Sequence, residues 1–365
     1  MKNNNKKILI ATGGTGGHIF PSLSLSDFLK TKYHIEIVSD KRGLKYLNDN
    51  QRINVRTINS GTIFKKNIFK ALIGLNKIFF SFLYSIFFML TSRPNLIIGM
   101  GGYSSFPVCL AGYCLGIPIL VYENNLVIGR ANRFLLPIVK NILVSSKSIQ
   151  GIDPKYRKKI FFSGYLIRNH ILNLKKYEKD LSNKEEFAIL IIGGSQSAKV
   201  FGEILPEIII KCFQNKIKFK IYQQCLEEQK KEIEKSYKEF DLKFELFSFT
   251  DDLSEFYKKA DLAITRSGAS SLAELTNLKI PFIAVPLPSS VDNHQLKNAN
   301  YFKEKGYCFL LDEKLLSVKL FNILSDLNKD KKKLYIMKEK MGEHSDLETA
   351  ATIEKLIEKI LNEKI

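Results

Sequence analysis

The chain has 365 residues, 45% of them hydrophobic, and a formal charge of +19 at pH 7. That length exceeds the roughly 250–300 residues one hydrophobic core serves, so two domains are expected. The scattered Cys109, Cys114, Cys212, Cys225 and Cys308 include no CxxC pair, which excludes a disulfide framework or cysteine zinc site and points to a reducing compartment; no long apolar run follows the lysine-rich Met1–Lys7, so no signal peptide is expected.

The first predicted element is a strand over 7–12, an apolar run of the kind buried in a parallel sheet. It leads into Gly13-Gly14-Thr15-Gly16-Gly17-His18 and a helix over 17–31. Strand, glycine turn and helix together present backbone N–H groups and a helix N-terminus to phosphate. The turn is not a Walker A loop, because no Lys-Ser/Thr follows it. Nor is it a clean GxGxxG, since the sixth position from Gly14 is Ile19; Glu36, about 20 residues on, keeps a nicotinamide reading open. His18, at the junction of turn and helix, is either a structural histidine or a general base.

Strands over 34–39 and 53–58 and a helix over 42–49 follow. Here the charge becomes lopsided. Residues 1–165 hold 23 Lys+Arg against 6 Asp+Glu, whereas the rest of the chain holds 33 against 31. Such asymmetry implies a polyanionic surface or substrate: nucleic acid, anionic lipid or a diphosphate. A helix over 66–91 ends in the apolar run Ile78–Leu90, shorter than the ~20 residues of a membrane span. Extending it back to Ala71 crosses Asn76 and Lys77. A core helix and an interfacial helix both fit, the second with Lys65, Lys66 and Lys70 meeting anionic headgroups.

Strands over 95–99, 117–122, 141–145 and 159–163 alternate with helices over 104–115 and 127–136. A third glycine turn, Gly99-Met100-Gly101-Gly102-Tyr103, follows the first of these strands. The second ends in Glu123-Asn124-Asn125, at the carboxyl end of a parallel strand, where open α/β sheets bind ligands. An Asx-rich turn explains the same residues.

The second half repeats the scheme. Strands are predicted over 187–192, 217–222, 243–247, 261–265, 281–285 and 307–310, and helices over 198–213, 226–237, 252–258, 270–277, 293–304 and 315–327. Gly193-Gly194-Ser195-Gln196-Ser197 repeats the strand–glycine–helix pattern, and Arg266-Ser267-Gly268-Ala269 opens another helix. Glu274 reads either as the partner of Ser271 in a capping box or as a carboxylate for the two hydroxyls of a ribose. The last helix, 346–361, is amphipathic behind an apparent capping box, Ser345-Asp346-Leu347-Glu348. Throughout, βα alternation predicts α/β domains with doubly wound parallel sheets.

The ordered set Gly13–His18 with Pro21, Gly99–Tyr103, Glu123–Asn125, Gly193–Gln196, Arg266–Ala269 and Asp292–Gln295 resembles the MurG family of peptidoglycan glycosyltransferases, from about Lys7 to the C-terminus. The resemblance implies a GT-B fold: two Rossmann-like domains facing across a cleft, residues 1–165 with 345–365 on the acceptor and membrane side and 166–344 binding the nucleotide sugar. It implies inverting transfer of N-acetylglucosamine from UDP-N-acetylglucosamine to the C4 hydroxyl of lipid I, with no cofactor, and peripheral attachment to the cytoplasmic face of the bacterial inner membrane. Partners are then the donor, lipid I, an anionic membrane surface and other cell-wall synthesis proteins, with no nucleic acid. His18 is the first choice of general base and Glu123 the alternative. Donor contacts fall to Thr15, Gly16, Gly17, Asn125, Arg168, Ser195, Thr250, Ala269, Ser270, Ser271, Leu272, Ala273, Glu274 and Gln295. Gly101, Gly102 and Tyr103 lie on the acceptor side. Asp251-Asp252 are adjacent and form no DxD, so no catalytic metal is expected.

Five positions depart from the family pattern. Tyr122 stands where a His precedes the Glu, Tyr165-Leu166 replaces Asn-Pro, Ser197 replaces a Gly and His294 replaces a Gln. Competing readings are another GT-B UDP-sugar transferase, an NAD(P)-linked oxidoreductase suggested by Glu36, and an RNA-binding protein suggested by the charge. The last lacks any recognisable RNA-binding module.

Overall fold

A computed structural model describes residues 6–47, 54–59, 61, 68–174, 187–194, 198–250 and 252–363. The chain forms two compact units, Met1–Arg168 with Asp346–Ile365, and Asn169–Ser345.

In the first unit, β1 (Lys7–Ala11), α1 (Gly16–Leu29), β2 (His34–Asp40), α2 (Lys41–Leu44), β3 (Asn54–Ile58) and α3 (Ile68–Thr91) are followed by β4 (Leu96–Gly99), α4 (Ser105–Cys114), β5 (Ile119–Glu123), α5 (Arg130–Leu135), β6 (Asn141–Val144) and β7 (Ile160–Phe162). The seven strands form one sheet in the order β3-β2-β1-β4-β5-β6-β7, and every pair is parallel. Both faces are covered, which is why β1 reads as an unbroken apolar run. Ile8 and Ile10 enter a core with Leu25, Leu29 and Tyr33, while Leu9 and Ala11 enter another with Phe88, Met89 and Val108.

In the second unit, α6 (Asn169–Leu172), β8 (Phe187–Ile192), α7 (Ala198–Gln214), β9 (Phe219–Gln224), α8 (Glu227–Glu239), β10 (Lys243–Phe247), α9 (Ser254–Lys259) and β11 (Leu262–Arg266) lead to α10 (Ala269–Asn277), β12 (Phe282–Val285), α11 (His294–Glu304), β13 (Cys308–Leu310), α12 (Leu316–Lys329) and α13 (Lys332–Gly342). The sheet order is β10-β9-β8-β11-β12-β13, again all parallel. This is the doubly wound Rossmann order, with the strand order reversing between β8 and β11 as it does between β1 and β4 in the first sheet.

The chain ends in α14 (Thr349–Asn362), whose Ile353, Ile357 and Ile360 are buried in the first unit's core beside β1 and α1. The expected capping box does not form. The helix starts at Thr349 behind Glu348 with no side-chain cap, and the Asp346 carboxylate instead accepts the Tyr165 N–H at 2.9 Å. A cap is worth about 1 kcal/mol, whereas each buried isoleucine contributes about 1.5–3 kcal/mol, so packing decides where this helix sits.

The helix expected over 127–136 begins only at Arg130, because the chain before it wraps around the Glu123 carboxylate. α13 has no counterpart among the predicted elements: only Leu334 and Met341 are buried in a lysine-rich segment, too thin a stripe to show helical periodicity.

Candidate active site

The sequence motifs fall at the carboxyl ends of strands flanking each switch point. In the first unit the Gly13 turn leaves β1, the Gly99–Gly102 turn leaves β4, and Glu123 ends β5. Gly14, Gly101 and Gly102 have φ of +88°, +88° and +79°, which glycine adopts without strain. The turns interlock closely. A Cβ on Gly13 would lie 1.9 Å from Ser104 Oγ, and one on Gly102 would lie 2.8 Å from the Gly13 carbonyl oxygen. Ser104 Oγ also donates to the Thr12 carbonyl at 3.0 Å. Buried Asp40 holds the first turn from the side, accepting Gly14 N–H at 3.2 Å.

Thr15 precedes α1 in an extended conformation and makes no side-chain cap, and no acidic residue occupies the first turn. No acidic residue of the helix itself offsets the positive end of its dipole. His18, half-buried, sits in this first turn, and the Thr12 hydroxyl donates to its carbonyl at 3.1 Å. Its imidazole packs on the third glycine turn, against Gly101 and Gly102.

Glu123 is 2% exposed. Its Oε1 accepts Asn125 N–H at 3.0 Å and Asn125 Nδ2 at 3.1 Å; its Oε2 accepts Gly129 N–H at 2.8 Å and Asn132 Nδ2 at 3.0 Å. A carboxylate offers about four lone-pair sites, and here all four are taken. The group shapes the loop that carries Asn125. Asn132, which also donates to the Tyr122 carbonyl at 3.0 Å, is the member of this network the motifs missed. Its signal was a single asparagine buried beside Leu135 in a short helix whose arginines, Arg130 and Arg133, stay out of the core.

Glu36, the residue that kept a nicotinamide reading open, serves a different purpose. It is 2% exposed and ion-paired to both Lys7 and Arg56. It stands third in the seven-residue β2, away from the carboxyl end where a ribose would be met.

Arg168, at the end of the first unit, lays its guanidinium 4.8 Å from the centre of the Phe20 ring on α1. Tyr103 is half-buried beside the glycine turn.

In the second unit the glycine turn after β8 is described as far as Gly194, whose φ is +68° and whose N–H donates to Gln224 Oε1 at 3.0 Å. Ser195 lies outside the described residues. α10 begins at Ala269 behind Gly268 with no side-chain cap, so the proposed Ser271–Glu274 capping box is absent. Instead Glu274, 5% exposed, accepts the Tyr257 hydroxyl at 2.9 Å. Leu272 and Ala273 are buried, while Ser270 and Ser271 are half-buried on the same turn.

Gln295, in the first turn of α11, uses Oε1 to accept both Ser267 N–H at 3.1 Å and Leu287 N–H at 3.0 Å. Its Oε1 thereby ties the turn before α10 to the loop after β12. Asn298 supports the same turn by donating to the Ser267 carbonyl at 3.2 Å. Asp292 and Asn293 before α11 both adopt left-handed conformations, with φ of +51° and +53°. Such strain concentrates at functional sites. Thr250 Oγ1 accepts Asp252 N–H at 3.2 Å and so fixes the loop after β10.

The two units match one known family. Residues 8–144 match the glycosyltransferase family 28 N-terminal domain and residues 188–360 its C-terminal domain. A chain from Pelagibacter ubique (strain HTCC1062), named UDP-N-acetylglucosamine--N-acetylmuramyl-(pentapeptide) pyrophosphoryl-undecaprenol N-acetylglucosamine transferase, is 39% identical over 92% of this chain and 93% of its own length. A Rickettsia bellii (strain RML369-C) chain of the same name is 33% identical over 88% and 91%. The crystal structure of Acinetobacter baumannii MurG superposes with a TM-score of 0.77 at 25% identity, covering 97% of this chain and 99% of that one. The dehydrogenase and RNA-binding readings fall away, and the chain belongs to glycosyltransferase family 28, among the MurG-type N-acetylglucosamine transferases.

Proposed function

We propose that the chain transfers N-acetylglucosamine from UDP-N-acetylglucosamine to the C4 hydroxyl of the muramoyl residue of lipid I, giving lipid II with inversion at the sugar carbon. The observation that carries this reading is the pair of uncapped helix N-termini at the switch points of two Rossmann sheets, in a chain whose relatives bear that transferase's name.

The acceptor hydroxyl attacks C1 of the donor sugar as the C1–oxygen bond to UDP breaks. His18 takes the hydroxyl proton. It is the better base because its ring lies at the mouth of the glycine turns, whereas all four acceptor sites of Glu123 are engaged within its own loop. Thr15, Gly16 and Gly17 approach the donor with backbone N–H groups, and Asn125 contacts its sugar. Arg168, Ser195 and the helix-end dipoles stabilise the charge growing on the diphosphate. In the donor unit, the Thr250 backbone meets uracil, and Ala269 to Ala273 line the nucleotide. Glu274, oriented by Tyr257, takes the ribose hydroxyls, and the Gln295 amide N–H₂ donates to the sugar. Gly101, Gly102 and Tyr103 border the acceptor.

Membrane attachment belongs to the same reading. α3 is long and apolar enough to cross a membrane by length and composition, but buried Ser81, Ser85, Phe88 and Met89 anchor one face in the first unit. Its other face exposes Phe69, Leu72, Ile73, Phe80, Phe87 and Leu90. A helix held this way lies in the plane of an anionic leaflet rather than spanning it. Lys65 and Lys66, the expected headgroup partners, lie outside the described residues. In this reading the enzyme is a peripheral protein of the cytoplasmic face of the inner membrane.

The His18→Ala variant tests the mechanism. UDP affinity is expected to persist while turnover falls about 10²–10⁴-fold, the range general acid–base catalysis contributes. Full turnover in that variant rules out the base role.

A further inference from the structure

We propose that the buried Tyr122 hydroxyl is a positioning group for the transfer, tying the loop after β5 that carries Asn125 to the segment 164–168 that carries Arg168. The proposal rests on the reading above, in which Asn125 and Arg168 meet the donor.

Tyr122 is 1% exposed, and its ring fills the first unit's core with Leu120, Leu143 and Leu166. Its hydroxyl joins three backbone or side-chain groups at once. The single proton is shared between Asn124 Oδ1 at 3.0 Å and the Gly164 carbonyl at 3.2 Å, while the oxygen accepts Leu166 N–H at 2.9 Å. Burial raises the phenol well above its usual range, so it stays a donor throughout any workable pH. Tyr122 and Leu166 are two of the positions where the sequence departs from the family pattern, and here they are hydrogen-bond partners.

Both ends of this knot reach the donor residues. On one side, the Tyr122 carbonyl and the Glu123 carboxylate share the Asn132 amide, and Glu123 holds Asn125 by two bonds. On the other, segment 164–168 is tied at successive residues. Tyr165 N–H donates to Asp346 at 2.9 Å, the Ile167 carbonyl accepts Ser24 Oγ, and Arg168 stacks on Phe20. Gly164 has φ of +95°, and a Cβ there would lie 2.5 Å from Thr349 Oγ1 and 2.8 Å from Asp346 Oδ1. The outgoing and returning chain segments of the first unit, ending at Arg168 and starting at Asp346, therefore meet beside this hydroxyl. Without it, Leu166 N–H, the Gly164 carbonyl and Asn124 Oδ1 lose a buried partner, and the two segments must shift to find others. A displacement of about 1 Å at a reacting group can cost about 10²-fold in rate.

A core tyrosine acting only through packing predicts something different, because Tyr122→Phe keeps the ring. The test is steady-state kinetics of the full chain and its Tyr122→Phe variant, with hydrogen exchange followed over residues 163–168. The expected result is a rise in KM for UDP-N-acetylglucosamine of about tenfold, the effect of one or two lost buried hydrogen bonds, with the lipid I KM changed less than about threefold. Exchange at Leu166 should quicken in parallel. An unchanged donor KM, or equal rises for both substrates, overturns the proposal. Should Tyr122→Phe fail to fold, Leu166→Pro removes one of the three bonds from the other side, and its donor KM is expected to rise about threefold; no rise overturns the proposal. A wild-type chain without transfer from UDP-N-acetylglucosamine would instead overturn the functional reading itself, a result distinguishable from a wild-type enzyme indifferent to Tyr122→Phe.

Discussion

The His18 imidazole rests on the backbone of Gly101: a Cβ at that glycine would lie 2.9 Å from both Cε1 and Nδ1 of the ring. The glycine is required twice over, once by this approach and once by its φ of +88°. Gly101→Ala should therefore push the ring away from its working position. Turnover is expected to fall about 10²-fold, as for a group displaced by about 1 Å, with UDP binding kept. Calorimetric UDP titration beside a turnover assay checks this, and unchanged turnover contradicts it.

Glu123 and His18 should separate cleanly by stability. Glu123→Gln places an N–H₂ among four N–H donors, leaving buried donors unsatisfied at a cost of about 1–3 kcal/mol. Its urea midpoint should drop. His18→Ala should leave that midpoint nearly unchanged while removing turnover. The reverse pattern would make Glu123 the base.

The exposed face of α3 should govern vesicle binding without governing folding. Phe80 and Phe87 are each 66% exposed. Replacing both with Glu removes two apolar insertions and adds repulsion from anionic lipid. Co-sedimentation with anionic vesicles should weaken at least about tenfold, since one buried Phe is worth about 1.5–3 kcal/mol. Binding by the unaltered chain should also weaken as salt is raised. Indifference to both changes contradicts in-plane docking.

The thiols offer a check on the fold. Cys114 is exposed, whereas Cys109, Cys212, Cys225 and Cys308 are buried. Burial pushes the Cys109, Cys212 and Cys308 thiols up to about 12, so they carry almost no thiolate at pH 8. Iodoacetamide at that pH should modify Cys114 alone in the folded chain and all five thiols in denaturant, as mass spectrometry would count.

Sequence made the sheet strands and the glycine turns legible because both depend on local chemistry. Buried parallel strands are continuous apolar runs, and left-handed turns select glycine at positions such as 14, 101 and 194. What stayed hidden depends on long-range partners. Ser271 with Glu274, and Ser345 with Glu348, have the spacing of capping boxes. Glu274 is drawn instead to Tyr257, and Asp346 to the Tyr165 N–H, 181 positions away in sequence. Glu36 has the spacing of a ribose-binding acid, yet Lys7 and Arg56 on neighbouring strands claim it. The roles of Asn132 and Tyr122 emerge only once β5, α5 and the exit segment are brought together.

Transfer of radiolabel from UDP-N-acetylglucosamine to lipid I by the 365-residue chain measures the proposed activity most directly. Label is expected in a lipid-linked disaccharide with a β-configured new bond, dependent on lipid I and on His18. Label that stays in the nucleotide sugar, or passes only to water, would contradict it.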